Sequence, residues 1–180
     1  ATARSLRLPV PVPVGELQRL ARWRRAGPAL VQVLPYGQTP GAQTALGLRD
    51  LLAQELGDDL VLKIADVTHV GSEDAARLRV GTAGAVLRVA LVDLGATPED
   101  EHHGRFLRAV QDAQPPAALL VLVDEAAFRV RFASLPARID ERRQSWLDFG
   151  QRHGIRLACV NLDRPELPEG LAALRQVMHA

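Results

Sequence analysis

The chain holds 180 residues, 47% of them hydrophobic but only 4% aromatic, and carries a formal net charge of +1. That length suits one domain plus an arm, with a core filled by Leu, Val, Ala and Ile rather than by rings. No stretch reaches the ~18 unbroken apolar residues of a membrane-spanning helix, and a single cysteine, Cys159, excludes an internal disulfide. Cys159 lies in an apolar run, which points to a core position in a reducing compartment.

The small net charge conceals an uneven distribution. Residues 1–25 contain six arginines and one acid, Glu16, so the rest of the chain is net acidic. The chain opens Ala1-Thr2 without an initiator methionine, which suggests a processed form or a domain of a longer protein. Residues 1–14 end in alternating proline and valine, and a residue before proline is pushed to extended geometry. Residues 15–26 then read as a short basic helix stopped by Gly27-Pro28. Such a helix could lie on an anionic membrane surface, although a packed helix with solvated arginines is the simpler expectation. Residues 1–28 are therefore taken as an arm and residues 29–180 as a single Rossmann-like or P-loop-like α/β domain.

From Ala29 a strand and a helix alternate five times. The first strand, Ala29 to Leu34, leads through residues 35–41 into a helix ending at Leu56, with Ala45, Leu48, Leu52 and Leu56 at spacings of three and four. The second, Leu60 to Ala65, carries Lys63, the only lysine, and a mid-strand lysine is best tolerated at a sheet edge. Asp66, His69 and a helix capped by Ser72 follow. The third strand spans Leu87 to Val92. After it, Thr97-Pro98-Glu99-Asp100 reads as cap, first-turn proline and first-turn acids.

The fourth strand, within Ala117–Glu125, is an unbroken apolar run that marks the centre of a parallel sheet. A helix with Ile139, Trp146 and Phe149 leads to the fifth strand, Ile155 to Val160, and a last helix carries Leu171, Leu174 and Met178. Five βα units predict a three-layer, doubly wound, five-stranded parallel sheet. The order 2-1-3-4-5 is preferred because it puts the strand of Lys63 on an edge.

Ligands of such sheets bind beyond the carboxyl ends of the strands, where strand order reverses. Here that crevice lies between residues 35–41 and 94–98. The ligand candidates are Tyr36, Gly37, Gln38, Thr39 and Gly41, in the position of a phosphate loop before a helix N-terminus. Their composition is degenerate: the glycine spacing is one short of GxxxxGK[ST], no lysine is present, and Pro40 offers no amide proton.

Four strands end at Asp66, Asp93, Asp124 and Asp163, all on one rim of a parallel sheet. Asp93, Asp124 and Glu125 are the candidates for an oxygen-ligated Mg²⁺, against the simpler reading of each as a turn or cap residue. Arg129 and Arg131, just past the fourth strand, could meet a phosphate or an acidic partner. His103 shares a helix side with Phe106, Leu107 and Val110, which makes it a structural residue rather than a zinc ligand. No nucleophile elbow, dinucleotide fingerprint or specific nucleic-acid-binding motif is present.

The series Leu119 to Phe132, LLVLVDEAAFRVRF, followed by an arginine-rich helix around Trp146 and a strand ending Asn161-Leu162-Asp163, resembles a known pattern. It is that of the cytoplasmic carboxyl-terminal region of a proteobacterial family of uncharacterised inner-membrane proteins, often encoded beside a predicted GTPase. The resemblance spans residues 29–180 and carries no catalytic residues. It implies a cytoplasmic domain of an inner-membrane protein and a protein partner, a GTPase among the candidates. Two functions follow as expectations. One is a non-catalytic α/β interaction or regulatory module without a cofactor. The other is a Mg²⁺-dependent nucleotide-binding or phosphoryl-hydrolysing enzyme with a degenerate phosphate loop.

Overall fold

The structure is a computed structural model that describes residues 29–36, 40–65, 85, 87–112 and 117–179. The expected arm and basic helix of residues 1–28, the loop residues Gly37, Gln38 and Thr39, and Asp66, His69 and Ser72 lie outside the described residues. The described elements are β1 (Ala29–Pro35), α1 (Ala42–Leu56), β2 (Leu60–Ile64), β3 (Leu87–Asp93), α2 (Glu101–Asp112), β4 (Ala118–Asp124), α3 (Ala126–Arg131), α4 (Pro136–Arg152), β5 (Leu157–Val160) and α5 (Pro168–Met178).

The five strands pair in parallel in the order β2-β1-β3-β4-β5, as expected. Lys63 accordingly sits on an edge strand, where its ammonium group reaches water. The centre of the sheet is the β3–β4 ladder, in register from Leu87 opposite Ala118 to Asp93 opposite Asp124. From Leu87 to Val92 every residue of β3 is buried, so both faces of the ladder are covered.

One face holds Val31, Val33, Val89, Leu91, Leu120 and Leu122 beneath α1 and α5. The other holds Leu34, Ala90, Val92, Val121 and Val123 beneath α2, α3 and α4. Period-two alternation along each strand assigns neighbouring residues to opposite layers, so a continuous apolar run fills both.

Strand ends fall within one or two residues of the sequence expectation, and the helices differ more. The segment after β4 is two helices, α3 and α4, rather than one. The helix expected to begin at Thr97 begins at Glu101, and its cap is Asp100, whose Oδ1 accepts the His102 amide at 2.8 Å. Thr97 instead opens a turn ahead of the helix: its carbonyl accepts the Asp100 amide at 3.2 Å, and its hydroxyl accepts from Arg142 Nη1 at 3.3 Å.

Close packing fixes one glycine. A Cβ on Gly47 in α1 would overlap the carbonyl oxygen of Leu162, in the turn after β5. Gly47→Ala must push α1 off the sheet and is expected to cost upwards of about 2 kcal/mol, the scale of overpacking a core. Gly104 in α2 is the control, since its nearest neighbour to a built Cβ is the end of Arg108 at 3.9 Å. Gly104→Ala should raise stability by about 0.5–1 kcal/mol through helix propensity. Urea unfolding of both variants measures the contrast.

Candidate functional site: the carboxyl rim of the sheet

The strands deliver their last residues to one rim, and the chain leaves them in a shared pattern. Leu94 N donates to Asp124 O, and Glu125 N donates to Val160 O, so the β-ladders extend one bond past the strand ends. This brings Asp93, Asp124 and Glu125 to the rim as expected, but it does not aim them at one point. Asp93 Oδ1 accepts the Gly95 amide at 2.7 Å, closing a tight turn. Asp124 Oδ1 accepts two amides, Ala126 and Leu162, each at 3.1 Å, and thereby ties the start of α3 to the turn after β5.

Glu125 points elsewhere. Its side chain is only 5% exposed and is gripped by two arginines. Arg129, one helical turn on, donates its Nε to Oε2 at 2.6 Å. Arg143, from α4, donates Nε to Oε1 at 2.6 Å and Nη2 to Oε2 at 3.0 Å, a two-pronged fork. With both oxygens committed to guanidinium groups, Glu125 is unavailable to complete a carboxylate set with Asp93 and Asp124. No group of three or more His, Cys, Asp or Glu is placed to hold a metal ion among the described residues. The Mg²⁺ set expected from these three side chains is therefore not assembled.

Burial raises the Asp124 carboxyl above its ordinary value, opposed by its two amide bonds and reinforced by the nearby charges of Asp93 and Asp163. Cys159 lies buried beneath the Glu125 clasp, and burial pushes its thiol up to about 12. It is a core residue with no thiolate character at neutral pH, as its apolar run suggested.

The ligand candidates of the first loop are only partly described. Tyr36 donates its amide to Leu91 O at 2.9 Å and lays its ring on His103, with centroids 4.0 Å apart. Gly41 precedes α1 in extended geometry (φ −66°), and no side chain among the described residues caps the helix there. Among the described residues, Arg129 and Arg131 are engaged elsewhere than on this loop. Arg129 serves Glu125, and the Arg131 guanidinium lies 5.2 Å from the centre of the Phe132 ring.

Between the two loops sits His103, 4% exposed and enclosed by Tyr36 and Trp146. Neither of its ring nitrogens has a hydrogen-bond partner among the described residues. Burial lowers its pKa, against a partial pull upward from Asp100 and a push downward from His102. The helix periodicity identified this histidine as buried, and the structure places it with Phe106, Leu107 and Val110.

What the sequence reading did not find is the brace supplied by α4. Arg142 Nη1 donates to Gly95 O and Ala96 O, both at 3.2 Å, and to Thr97 Oγ1. Trp146, fully buried, donates its indole N–H to Ala96 O at 3.0 Å. Glu125 with Arg129 is the i,i+4 pair that sequence spacing could have shown. The partners 18 to 50 residues apart left no such signal.

The described residues thus define a doubly wound α/β domain of the Rossmann-like class, its rim knit by side chains of α3 and α4. No family model and no curated protein sequence matches the chain. Among solved structures it is similar to an ADP-ribosylation-factor-like GTP-binding protein, the small COPII coat GTPase SAR1 from Encephalitozoon cuniculi in complex with GDP. The identity is 12%, the match covers 91% of this chain and 86% of that one, and the TM-score is 0.53. A second similar structure is an NAD(P)H:quinone oxidoreductase from Methanothermobacter marburgensis, at 9% identity, 84% and 94% coverage and a TM-score of 0.45. At such identities the likeness to the GTPase is one of fold.

Two substitutions test the electrostatics of the rim. His103→Leu removes two unpartnered buried nitrogens at similar volume and should leave stability unchanged or raise it by about 1 kcal/mol. Because the folded value of His103 lies below its unfolded one, its neutral form stabilises the fold above the unfolded pKa, and this is lost as pH falls. The Leu variant should lose less stability in acid, and a destabilisation at neutral pH would mean the ring makes a needed polar contact.

Asp124 has the opposite sign. Its folded value is raised, so its contribution is present below the unfolded carboxyl value and is lost as pH rises through the raised one. Asp124→Asn keeps an oxygen for the Ala126 and Leu162 amides, should stay within about 1 kcal/mol of the parent, and should remove that decline. Chemical denaturation between pH 4 and 8 reads both effects, on the scale of ordinary carboxyl and imidazole titration.

Proposed function

We propose that this domain is a non-catalytic interaction or regulatory module, the cytosolic part of a membrane-associated protein, built on a fold of the nucleotide-binding type. One observation carries the reading. The three acids singled out on the rim, and Arg142 beside them, are engaged in holding the rim itself: Glu125 to two arginines, Asp124 to two amides, Asp93 to Gly95, and Arg142 to three oxygens of the β3–α2 loop. A rim braced in this way is a stiff platform, which lowers the ordering cost of docking a partner. No helix among the described residues is long and apolar enough to cross a membrane. On this reading membrane association comes from elsewhere, with residues 15–26 as one contact to an anionic surface. The resemblance to membrane proteins encoded beside a GTPase supports a GTPase as partner.

A second reading is favoured by a specific feature. Among the described residues no side chain caps the N-terminus of α1, and this helix follows β1 as a phosphate-binding helix does. In the GTPase of similar fold, GDP is bound. A nucleotide-binding enzyme using Mg²⁺ with a degenerate phosphate loop remains the alternative for that reason.

Thermal unfolding with and without ATP, GTP, their diphosphates and NAD(P)H, each with and without Mg²⁺, separates the two. The module reading expects no saturable change in melting temperature. A ligand at a hundred times its Kd would add about 2.7 kcal/mol of stability, and such a rise with any of these nucleotides overturns it.

A further inference from the structure

The sharpest unassigned surface lies where α3 turns into α4. Residues 133–138 are six consecutive exposed residues, a projecting elbow rather than a packed turn. Two large aliphatic side chains stand out on it, Val130 at 77% and Leu135 at 53% exposure. Isolated exposed aliphatics are ordinary, but these two share the elbow with an unusual charge pattern. Residues 126–139 contain three arginines, Arg129, Arg131 and Arg138, and no acid.

Arg129 is engaged by Glu125, whereas Arg131 and Arg138 have no carboxylate partner among the described residues. Both are instead held against Phe132, their guanidinium carbons 5.2 and 4.6 Å from the ring centre. Phe132 packs on Phe128 with centroids 4.5 Å apart, and Phe128 is buried in the core. Stacking on an anchored ring orients two cations while leaving their N–H groups unused. The rotamer cost of presenting them to an anion is thereby largely met before binding.

Beside the elbow runs a groove of about 770 Å³, whose walls include Pro98, Glu99, Leu135, Pro136, Arg138 and Glu141. Its volume is large enough to take several aliphatic side chains.

We propose that the α3–α4 elbow is a docking surface for an acidic segment of a protein partner, with aliphatic side chains in the groove and carboxylates on Arg131 and Arg138. This rests on the interaction-module reading and gives the partner a chemistry: alternating or closely spaced leucine-type and acidic residues. Arg131 is retained from the sequence candidates in this role, and Arg138, Val130 and Leu135 join it. Arg129 drops out because Glu125 holds it.

The test uses the full chain and a labelled twelve-residue peptide alternating leucine and glutamate, with a leucine–lysine peptide and anionic phospholipid vesicles as comparison probes. Saturable binding of the glutamate peptide is expected, with amide shifts in the ¹H–¹⁵N spectrum centred on residues 130–138. Arg131→Glu with Arg138→Glu should weaken it roughly tenfold or more, and Val130→Ser with Leu135→Ser similarly. These side chains are exposed or lie at the surface, so both double variants should melt with the parent.

Absence of saturable binding up to about millimolar peptide overturns the proposal, that being the weak limit of a specific contact. So does equal binding by the charge-reversed variant, or binding of the vesicles with none of the peptide. Peptide binding whose shifts map to another surface sinks the elbow but leaves the module reading intact. A nucleotide-dependent rise in melting temperature sinks the module reading whatever the peptide does.

Discussion

The β3–β4 ladder is the constraint from which the rest of the molecule follows. Seven residues of each strand run in register, covered on both faces, and their last pair sets Asp93 beside Asp124. Parallel pairing forces every strand to end on the same rim, so the residues just past the strands are brought together without any one of them being selected for proximity. Glu125, one residue beyond the ladder, then has no more strand to continue. It enters a short helix with its carboxylate buried, where desolvation would be costly without partners.

The arginines of α3 and α4 answer that cost. Arg143 forks both Glu125 oxygens and Arg129 adds a third bond, while the neighbouring Arg142 and Trp146 reach over the ladder to the carbonyls of Gly95 and Ala96. One helix thus ties two adjacent rim loops, one by an ion pair and one by backbone oxygens. The loop after β3 is held in a turn, and α2 starts after it at Glu101. The same anchoring leaves the α3–α4 connection to project, with Phe132 as the hinge between the buried Phe128 and the exposed arginines.

The central rows of the sheet carry a cost of their own. Gln32 and Arg88 face each other across β1 and β3, both about 1% exposed. Desolvation lowers the pKa of Arg88 from its usual range. A guanidinium in the interior of a sheet is rare, since it must be held by a partner to remain there. It gives the sheet a polar row on the face opposite α1 and α5, continuous with exposed Lys63 on the edge.

Much of the architecture was legible from periodicity alone. Continuous apolar runs such as Leu119 to Val123 need no tertiary information to be read as doubly covered strands, and a lone mid-strand lysine points to an edge, where its ammonium keeps its water, although Arg88 in the middle strand shows that a buried cation is tolerated when it is held. The helix face of His103 and the core position of Cys159 follow from the same local geometry. Sequence by itself therefore determined the fold class, the strand order and which residues reach the rim, because these depend on period, length and desolvation, all local quantities. Only the tertiary structure decided where the rim carboxylates point, that Arg143 forks Glu125, and that Arg142 and Trp146 hold the loop ahead of α2. Those outcomes turn on side chains 18 to 50 residues apart meeting within hydrogen-bond distance, and such meetings are set by how helices pack on the sheet, which no local pattern encodes.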